Sequence, residues 1–251
     1  MRVVGKIHGL LTITLLVLVS RPASAGEVTV AVASNFFATA QELATEFEKN
    51  SLHTVILSPG STGKHTSQII HGAPYDLFLA ADSDSPKTLI RRGHGLANSL
   101  KTYAVGKLVF LQPNAESQKD VIKFLREGDG FIALANPKLA PYGRAAQEVL
   151  QNLGIWNALQ GRLIMGENVS QALQYVGSGN ATLGLVAAAQ VQRLDTNLKS
   201  KAWVVPANLY SKINQSMLLI NATPASQAFY HYLLSASAQH IIRSSGFGVA
   251  G

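Results

Sequence analysis

Apolar and polar positions follow two alternating periods along the chain. Residues 28–32 alternate with a period of two, which predicts a strand, and residues 36–47 repeat apolar side chains every three or four positions, which predicts a helix. Further strands are predicted at 54–57, 76–80, 107–111, 131–135, 162–165, 181–186, 203–205 and 216–220. Helices are predicted from about 64 to 71, from 84 onward, at 142–153, at 169–176 and, as one final helix, through 229–241. This alternation of strands and helices predicts an α/β fold with largely parallel sheets.

The first 25 residues have a different pattern, typical of a secretory signal peptide. Arg2 and Lys6 precede a short apolar run from 10 to 19, and the small residues Ala-Ser-Ala at 23–25 follow it. The apolar run is shorter than the ~20 residues that a membrane-spanning helix needs. We therefore expect cleavage after Ala25 and no membrane insertion of the exported chain.

Composition narrows the possible classes of function. The formal net charge is +7, and removal of Arg2, Lys6 and Arg21 with the signal peptide lowers it to +4. No block of basic residues is interleaved with aromatic ones, so the sequence does not favour nucleic-acid binding. The chain contains no cysteine, which excludes disulfide scaffolds, thiol catalysis and zinc sites with cysteine ligands.

Three predicted strands run directly into small or hydroxylated residues that open a helix. These transitions lie at Ser34, at Ser61 and Thr62, and at 141–143. In an open α/β sheet, ligands bind outside the carboxyl ends of the strands, where the free N–H groups of helix N-termini favour an anion. Each transition alone is also compatible with an ordinary helix cap, whereas three together indicate an anion site.

Other candidate motifs lack essential residues. The segment 60–64 resembles a phosphate-binding P-loop, but Ser58 and His65 stand where that motif requires Gly and Ser or Thr. The sequence has neither the Gly-x-Ser-x-Gly elbow of hydrolases nor an HExxH zinc motif. His65 and His71 are predicted to be surface residues of a short helix. Asp76 and Asp82, at the two ends of a predicted strand, are expected to position loops or cap helices.

Several segments together resemble the periplasmic molybdate-binding proteins of ABC importers. The resemblance extends in order over the whole chain after the signal peptide. It rests on VAVAS at 30–34, GSTG at 60–63, GAPYDLF at 72–78, AAD at 80–82, GKLV at 106–109, 136–143, 167–173, LGLV at 183–186, FYHYL at 229–233 and GFG at 246–248.

The resemblance implies two α/β lobes with a ligand cleft between them, joined by two crossovers, as in type II periplasmic binding proteins. Lobe one would comprise residues 26–105 and 217–251, and lobe two residues 106–216. The resemblance also implies a soluble periplasmic carrier that delivers its ligand to a membrane permease. We expect a monomer without a resident cofactor.

The family's ligand contacts map onto particular positions of this chain. They fall on the hydroxylated residues Ser34 and Thr62, with Ser61 beside the latter, and on the backbone of Tyr142 and Val169; these would touch the oxyanion of molybdenum or tungsten. A fifth contact, usually a tyrosine hydroxyl, falls on Ala187, which has no donor. Four residues are candidates to compensate, and sequence leaves the choice open: Asn35, Lys64, Tyr142 and Arg144.

The residues and the resemblance point to the same ligand chemistry. Molybdate, tungstate and sulfate accept hydrogen bonds and donate none at neutral pH, whereas hydrogen phosphate must donate one. No acidic residue occupies a mapped contact position, so phosphate is disfavoured. The sequence predicts a carrier of molybdate or tungstate. A carrier of another oxyanion such as sulfate remains an alternative, as does an exported α/β enzyme.

Overall fold

A computed structural model describes residues 25–248. The predicted signal peptide, except for Ala25, lies outside these residues. Within them, no helix combines the length and the apolar character that crossing a membrane requires.

Ten strands and ten α-helices make up this part of the chain. The strands are β1 Glu27–Ala33, β2 Thr54–Gly60, β3 Leu77–Ala80, β4 Lys101–Gly106, β5 Leu108–Leu111, β6 Ile132–Ala135, β7 Leu163–Gly166, β8 Leu183–Ala187, β9 Ala202–Val204 and β10 Ile213–Leu219. The helices are α1 Phe37–Lys49, α2 Thr62–Ile70, α3 Asp84–Arg91, α4 Gln118–Glu127, α5 Pro141–Asn152, α6 Val169–Gly177, α7 Ala188–Val191, α8 Thr196–Ser200, α9 Pro224–Leu233 and α10 Ala236–Ser244.

The strands form two five-stranded mixed sheets. Their orders are β2-β1-β3-β10-β4 and β7-β6-β8-β5-β9. In the first sheet β1 is parallel to β2 and β3, whereas β10 is antiparallel to β3 and β4. In the second, β6 is parallel to β7 and β8, whereas β5 is antiparallel to β8 and β9. Four of the five strands in each sheet run in the same direction, as expected, whereas β5 and β10 each enter their sheet from the other lobe and run against its βαβ units.

Two chain segments connect the sheets. The first is the short step from Gly106, at the end of β4, to Leu108, at the start of β5, and the second leads from β9 to β10. This confirms the prediction of two α/β lobes joined by two crossovers. The exact lobe boundaries remain a prediction; β10 runs through the expected boundary between 216 and 217.

Each lobe has its own apolar core. In lobe one the predicted apolar face of α1, including Leu43 and Phe47, packs with strand residues such as Val30 and with Phe229 of α9. In lobe two, side chains of β5, β6, β8 and α5 form a separate cluster. Full burial of one such large apolar side chain stabilises the fold by about 1.5–3 kcal/mol. Each sheet is thus a rigid support whose strand ends keep fixed positions.

Three local expectations differ from the structure. The final helix is two helices, because the Ser235 side chain accepts a hydrogen bond from the Ala238 N–H and starts α10 anew. Strand β4 and helix α4 were not predicted from the pattern. His65 is buried, with 2% of its surface exposed, rather than a surface residue. It packs against the rings of Tyr75 and Phe78, and burial lowers its pKa.

Helix α5 begins unusually close to the end of β6, and a glycine makes this approach possible. A Cβ on Gly143 would lie 2.3 Å from the carbonyl oxygen of Ala135. That oxygen is backbone and cannot rotate away as a flexible side chain could. The sequence Pro141-Tyr142-Gly143 therefore fixes where the N-terminus of α5 stands relative to the sheet.

We predict that Gly143→Ala destabilises the protein, because the added methyl group overpacks the contact between α5 and β6. The expected loss in the free energy of unfolding is about 1–3 kcal/mol. Gly177→Ala is the matched control, since nothing lies within 4 Å of a Cβ at the end of α6. Urea titration of both variants measures the difference, and equal stabilities would contradict the assigned close approach.

Candidate functional site

Two pairs of parallel strands end side by side at the interface between the lobes. In lobe one the last pair in the register of β1 and β2 is Ala33 with Gly60. In lobe two the last pair of β6 and β7 is Ala135 with Gly166. The carboxyl ends of both sheets therefore face the same region, which is where α/β folds bind ligands.

A helical segment begins within three residues of the ends of β1, β2 and β7, and six residues after the end of β6. A single 3₁₀ turn starts at Ser34, and α2, α5 and α6 start at Thr62, Pro141 and Val169. The first N–H groups of a helix have no partner inside the helix, and the helix dipole adds positive potential there. The four starts thus direct unpaired N–H groups toward one region from both lobes.

Side-chain caps fix two of these starts. The Ser61 hydroxyl accepts a hydrogen bond from the Lys64 N–H at 3.3 Å. The Asn168 side chain accepts from the N–H groups of Ser170 and Gln171 at 3.0 and 3.1 Å. These caps satisfy N–H groups further along the helices, and the Gly63 N–H donates to the Leu139 carbonyl, so the first N–H groups, those of Thr62 and Val169, remain for a ligand.

A small cavity of about 10 Å³ lies where the four segments meet. Twelve residues line it: Ala33, Ser34, Asn35, Gly60, Ser61, Thr62 and Ala81 from lobe one, and Ala140, Pro141, Tyr142, Asn168 and Val169 from lobe two. Its polar residues are almost completely buried except Asn168, which is partly exposed; Ser34, the most exposed of those mapped as contacts, exposes 9% of its surface. None of these lining residues carries a charge. The cavity is small and lined mostly by buried residues with neutral donors.

Five of the six site residues mapped from sequence line this cavity. They are Ser34, Ser61, Thr62, Tyr142 and Val169. Ala187 is not among the lining residues: it is fully buried at the end of β8, where it pairs with Leu108. The structure therefore brings the mapped positions together except for the one whose residue departs from the family pattern.

The hydroxyl groups of the site retain hydrogen atoms for a ligand. The Thr62 hydroxyl accepts a hydrogen bond from the Ala81 N–H at 3.0 Å, which orients it and leaves its own hydrogen free. The Ser34 side chain has no hydrogen-bond partner within residues 25–248, and its carbonyl accepts from the Ser170 hydroxyl at 3.3 Å. Both side chains can donate into the cavity.

Two of the four candidates to replace the missing tyrosine donor line the cavity, and two form ion pairs outside it. Lys64 pairs with Glu167, with 2.9 Å between Nζ and Oε1, and Arg144 pairs with Asp82. Neither Lys64 nor Arg144 lines the cavity, whereas Asn35 and Tyr142 do. Of these four candidates, Asn35 is therefore the one that lines the cavity with a side-chain N–H donor, whereas Tyr142 lines it with a phenol.

The two acidic residues singled out from sequence have structural partners. Asp76 accepts a hydrogen bond from the Thr29 N–H at 2.9 Å and ties the start of β3 to β1. Asp82 accepts from the Ser85 N–H at 2.9 Å and so holds the first turn of α3. Both act as expected, in positioning loops and helix starts. Within the described part of the chain, no cluster of three His, Asp or Glu residues could hold a metal ion.

Sequence reasoning missed two polar residues near the cavity. Asn168 lines it and caps α6, and the signal was present as an Asn directly before a helical pattern. Gln215 lies behind the cavity, where its side-chain oxygen accepts a hydrogen bond from Asn35 Nδ2 at 3.1 Å. Gln215 is harder to find from the sequence, because the predicted strand begins only at Ser216 and leaves Gln215 outside it.

Direct contacts between the lobes close the cavity. The Gly63 N–H donates to the Leu139 carbonyl at 2.8 Å, and a Cβ on Gly63 would lie at the same distance from that oxygen. Because most of the lining residues are buried, we expect a ligand to enter when these contacts between the lobes separate.

Two lobes, two crossovers and a cavity of neutral donors between the lobes define a two-lobed ligand-binding protein of the α/β class. A family model described as bacterial extracellular solute-binding protein matches residues 28–248. The chain belongs to this family.

Two similar proteins are named for the ligand that they bind. The chain is 41% identical over 233 residues to the molybdate-binding protein ModA of Azotobacter vinelandii, covering 90% of this chain and 92% of the relative. It is 38% identical to ModA of Rhodobacter capsulatus over 229 residues, covering 90% of both chains. The resemblance inferred from sequence is confirmed.

Solved structures agree with this assignment. The periplasmic molybdate-binding protein of Azotobacter vinelandii superposes with a TM-score of 0.84 at 35% identity, covering 89% of this chain and all of that one. The sulfate-binding protein SubI of Mycobacterium tuberculosis superposes with a TM-score of 0.70 at 14% identity, covering 88% and 86% of the two chains. The second comparison supports the fold alone.

Proposed function

We propose that this protein is an exported carrier that binds molybdate or tungstate between its lobes and delivers it to the membrane permease of an ABC importer. The observation that carries the proposal is the cavity between the lobes, whose lining holds neutral donors and no charged group. The names of the relatives support the ligand class, the role as a carrier rather than an enzyme, and a periplasmic location.

The chemistry of the lining favours a fully deprotonated oxyanion. Molybdate has four oxygen atoms that accept hydrogen bonds, and the cavity offers hydroxyl groups of Ser34 and Thr62 and backbone N–H groups of Tyr142 and Val169. Ser61 stands beside Thr62 as a further hydroxyl. Hydrogen phosphate would have to donate one bond, and no carboxylate lines the cavity to accept it. The oxyanion is cargo in this proposal, and no resident cofactor takes part.

Asn35 supplies the donor that the family usually draws from a tyrosine. It lines the cavity, 4% of its surface is exposed, and it follows Ser34 directly in the chain. A side-chain amide has two N–H groups, so Asn35 can donate one to Gln215 and one to the ligand. The missing side chain at Ala187 is then compensated by a residue from the other lobe.

The proposal predicts selective stabilisation by ligand. A ligand present at ~100 times its dissociation constant stabilises the folded state by about 2.7 kcal/mol, which raises the melting temperature by several degrees. Molybdate or tungstate should produce this shift in the purified protein, and calorimetric titration should give a single site. Phosphate at the same concentration is the control and should leave the midpoint unchanged. If none of the oxyanions moves the midpoint, the protein is not a carrier of this class.

A second prediction concerns the close contact between the lobes. Gly63→Ala should weaken molybdate binding about tenfold or more, because its methyl group meets the Leu139 carbonyl only when the lobes close. The unliganded protein should lose no stability, since alanine favours a helix over glycine. Calorimetric titration measures the affinity, and Gly177→Ala controls for the substitution itself. Unchanged affinity would mean that the bound state does not use this contact.

A third prediction tests the compensation at the site. Ala187→Tyr places a large side chain at a fully buried position, and we expect it to cost about 1–3 kcal/mol in the free energy of unfolding and to weaken molybdate binding. Ala187→Phe is the matched control, because it has the same bulk without the hydroxyl. If the tyrosine variant binds more tightly than both the parent and the phenylalanine variant, the donor is missing rather than replaced by Asn35.

A further inference from the structure

A buried polar cluster lies directly behind the anion cavity. It consists of Asn35, Tyr142 and Gln215, whose side chains expose 4%, 1% and 0% of their surface. Asn35 comes from lobe one, Tyr142 from lobe two and Gln215 from β10, the strand by which the second crossover enters lobe one. The Asn35 amide nitrogen donates to Gln215 Oε1 at 3.1 Å. The cluster therefore joins the cavity to the second crossover.

The rest of the cluster is packed against the first crossover. A Cβ built on Gly106 would lie 2.3 Å from the Tyr142 hydroxyl oxygen and 2.8 Å from Gln215 Nε2. Neither of these two atoms has a hydrogen-bond partner within the described residues. Burial, with a smaller contribution from Tyr210, raises the pKa of Tyr142, while the side chains of Asn35 and Gln215 act in the opposite direction. The phenol therefore stays protonated and neutral.

An asparagine beside an anion has two possible orientations. Rotation of the amide by 180° exchanges its N–H groups with its carbonyl oxygen, and the oxygen would repel a ligand that only accepts hydrogen bonds. Gln215 Oε1 can only accept, and it already holds the Asn35 nitrogen. As long as Gln215 presents this oxygen rather than Nε2, which has no hydrogen-bond partner within the described residues, the Asn35 amide is held with its N–H groups available.

We propose that Gln215 is a positioning residue for oxyanion binding: its side-chain oxygen fixes the amide of Asn35 so that the second N–H of Nδ2 is presented to the ligand. This inference rests on the proposed function and deepens it. Gln215 need not touch the anion, because it acts through Asn35.

The first test removes the accepting oxygen and keeps the length of the side chain. Gln215→Met should weaken molybdate binding roughly tenfold. Gln112→Met is the matched control, because Gln112 is also buried, with 7% exposed, and does not line the cavity. Calorimetric titration measures both affinities, and melting temperatures without ligand measure any loss of stability. Equal affinities for the two variants would overturn the role of Gln215.

A double-mutant cycle separates positioning from a general structural effect. In the Asn35→Ala background, Gln215→Met should change the affinity less than twofold, because the amide that it orients is gone. A loss of the same size in both backgrounds would show that Gln215 acts independently of Asn35 and would overturn the inference.

A conservative variant provides a rescue that a purely structural role does not predict. Gln215→Glu keeps an accepting oxygen, and burial raises the pKa of a carboxyl group. Near pH 6 the neutral side chain should restore most of the affinity that methionine loses. Toward pH 8.5 ionisation places a negative charge behind the anion, so affinity should fall, while the parent stays flat. A pH-independent variant as weak as Gln215→Met would contradict the proposal.

Failure of this inference is distinguishable from failure of the proposed function. A parent protein that binds neither molybdate nor tungstate would contradict the proposed function and this inference with it. A parent that binds, together with additive losses in the cycle, would contradict only the positioning role.

Discussion

Unpaired N–H groups that are enclosed within the protein are the constraint on which this structure depends. A buried donor without an acceptor costs about 1–3 kcal/mol, and four helical segments begin around one cavity that Thr62 and Val169 line. The closed arrangement therefore includes an energetic cost that an acceptor-only ligand relieves. The parallel strands end at Ala33, Gly60, Ala135 and Gly166, and these ends set where each helical segment starts.

Neutral donors also explain how a buried site can hold an anion and still be stable without it. A buried lysine or arginine would need a carboxylate partner, since burial of an unpaired charge is far more costly than burial of an amide or hydroxyl. The cations near the site instead lie outside the cavity, where Lys64 and Arg144 pair with Glu167 and Asp82. Ion pairs therefore connect the lobes outside the cavity, whereas neutral N–H and hydroxyl groups line it.

Much of the fold could be predicted from local patterns, and what could not depends on contacts distant in sequence. Strands such as β1 and helices such as α1 follow from periodicity, and the site positions follow from strand ends that run into Ser34 and Thr62. The antiparallel direction of β5 and β10 is not encoded locally, because it results from where the crossovers enter each sheet. The burial of His65 depends on rings contributed by β3 and the preceding loop. The sequence alone could not select Asn35 as the replacement donor, because it does not show that Lys64 and Arg144 form ion pairs outside the cavity.

The ion pairs between the lobes have a consequence for timing. Lys64 with Glu167, Arg144 with Asp82 and Arg193 with Glu42 each join one lobe to the other outside the cavity. All three are partly exposed, so each contributes at most about 1 kcal/mol and weakens as the concentration of dissolved salt rises. The donors inside the cavity are shielded from that effect. The lifetime of the closed state consequently shortens as ionic strength rises, so the residence time of the cargo responds to the surrounding medium while the chemistry that selects it does not.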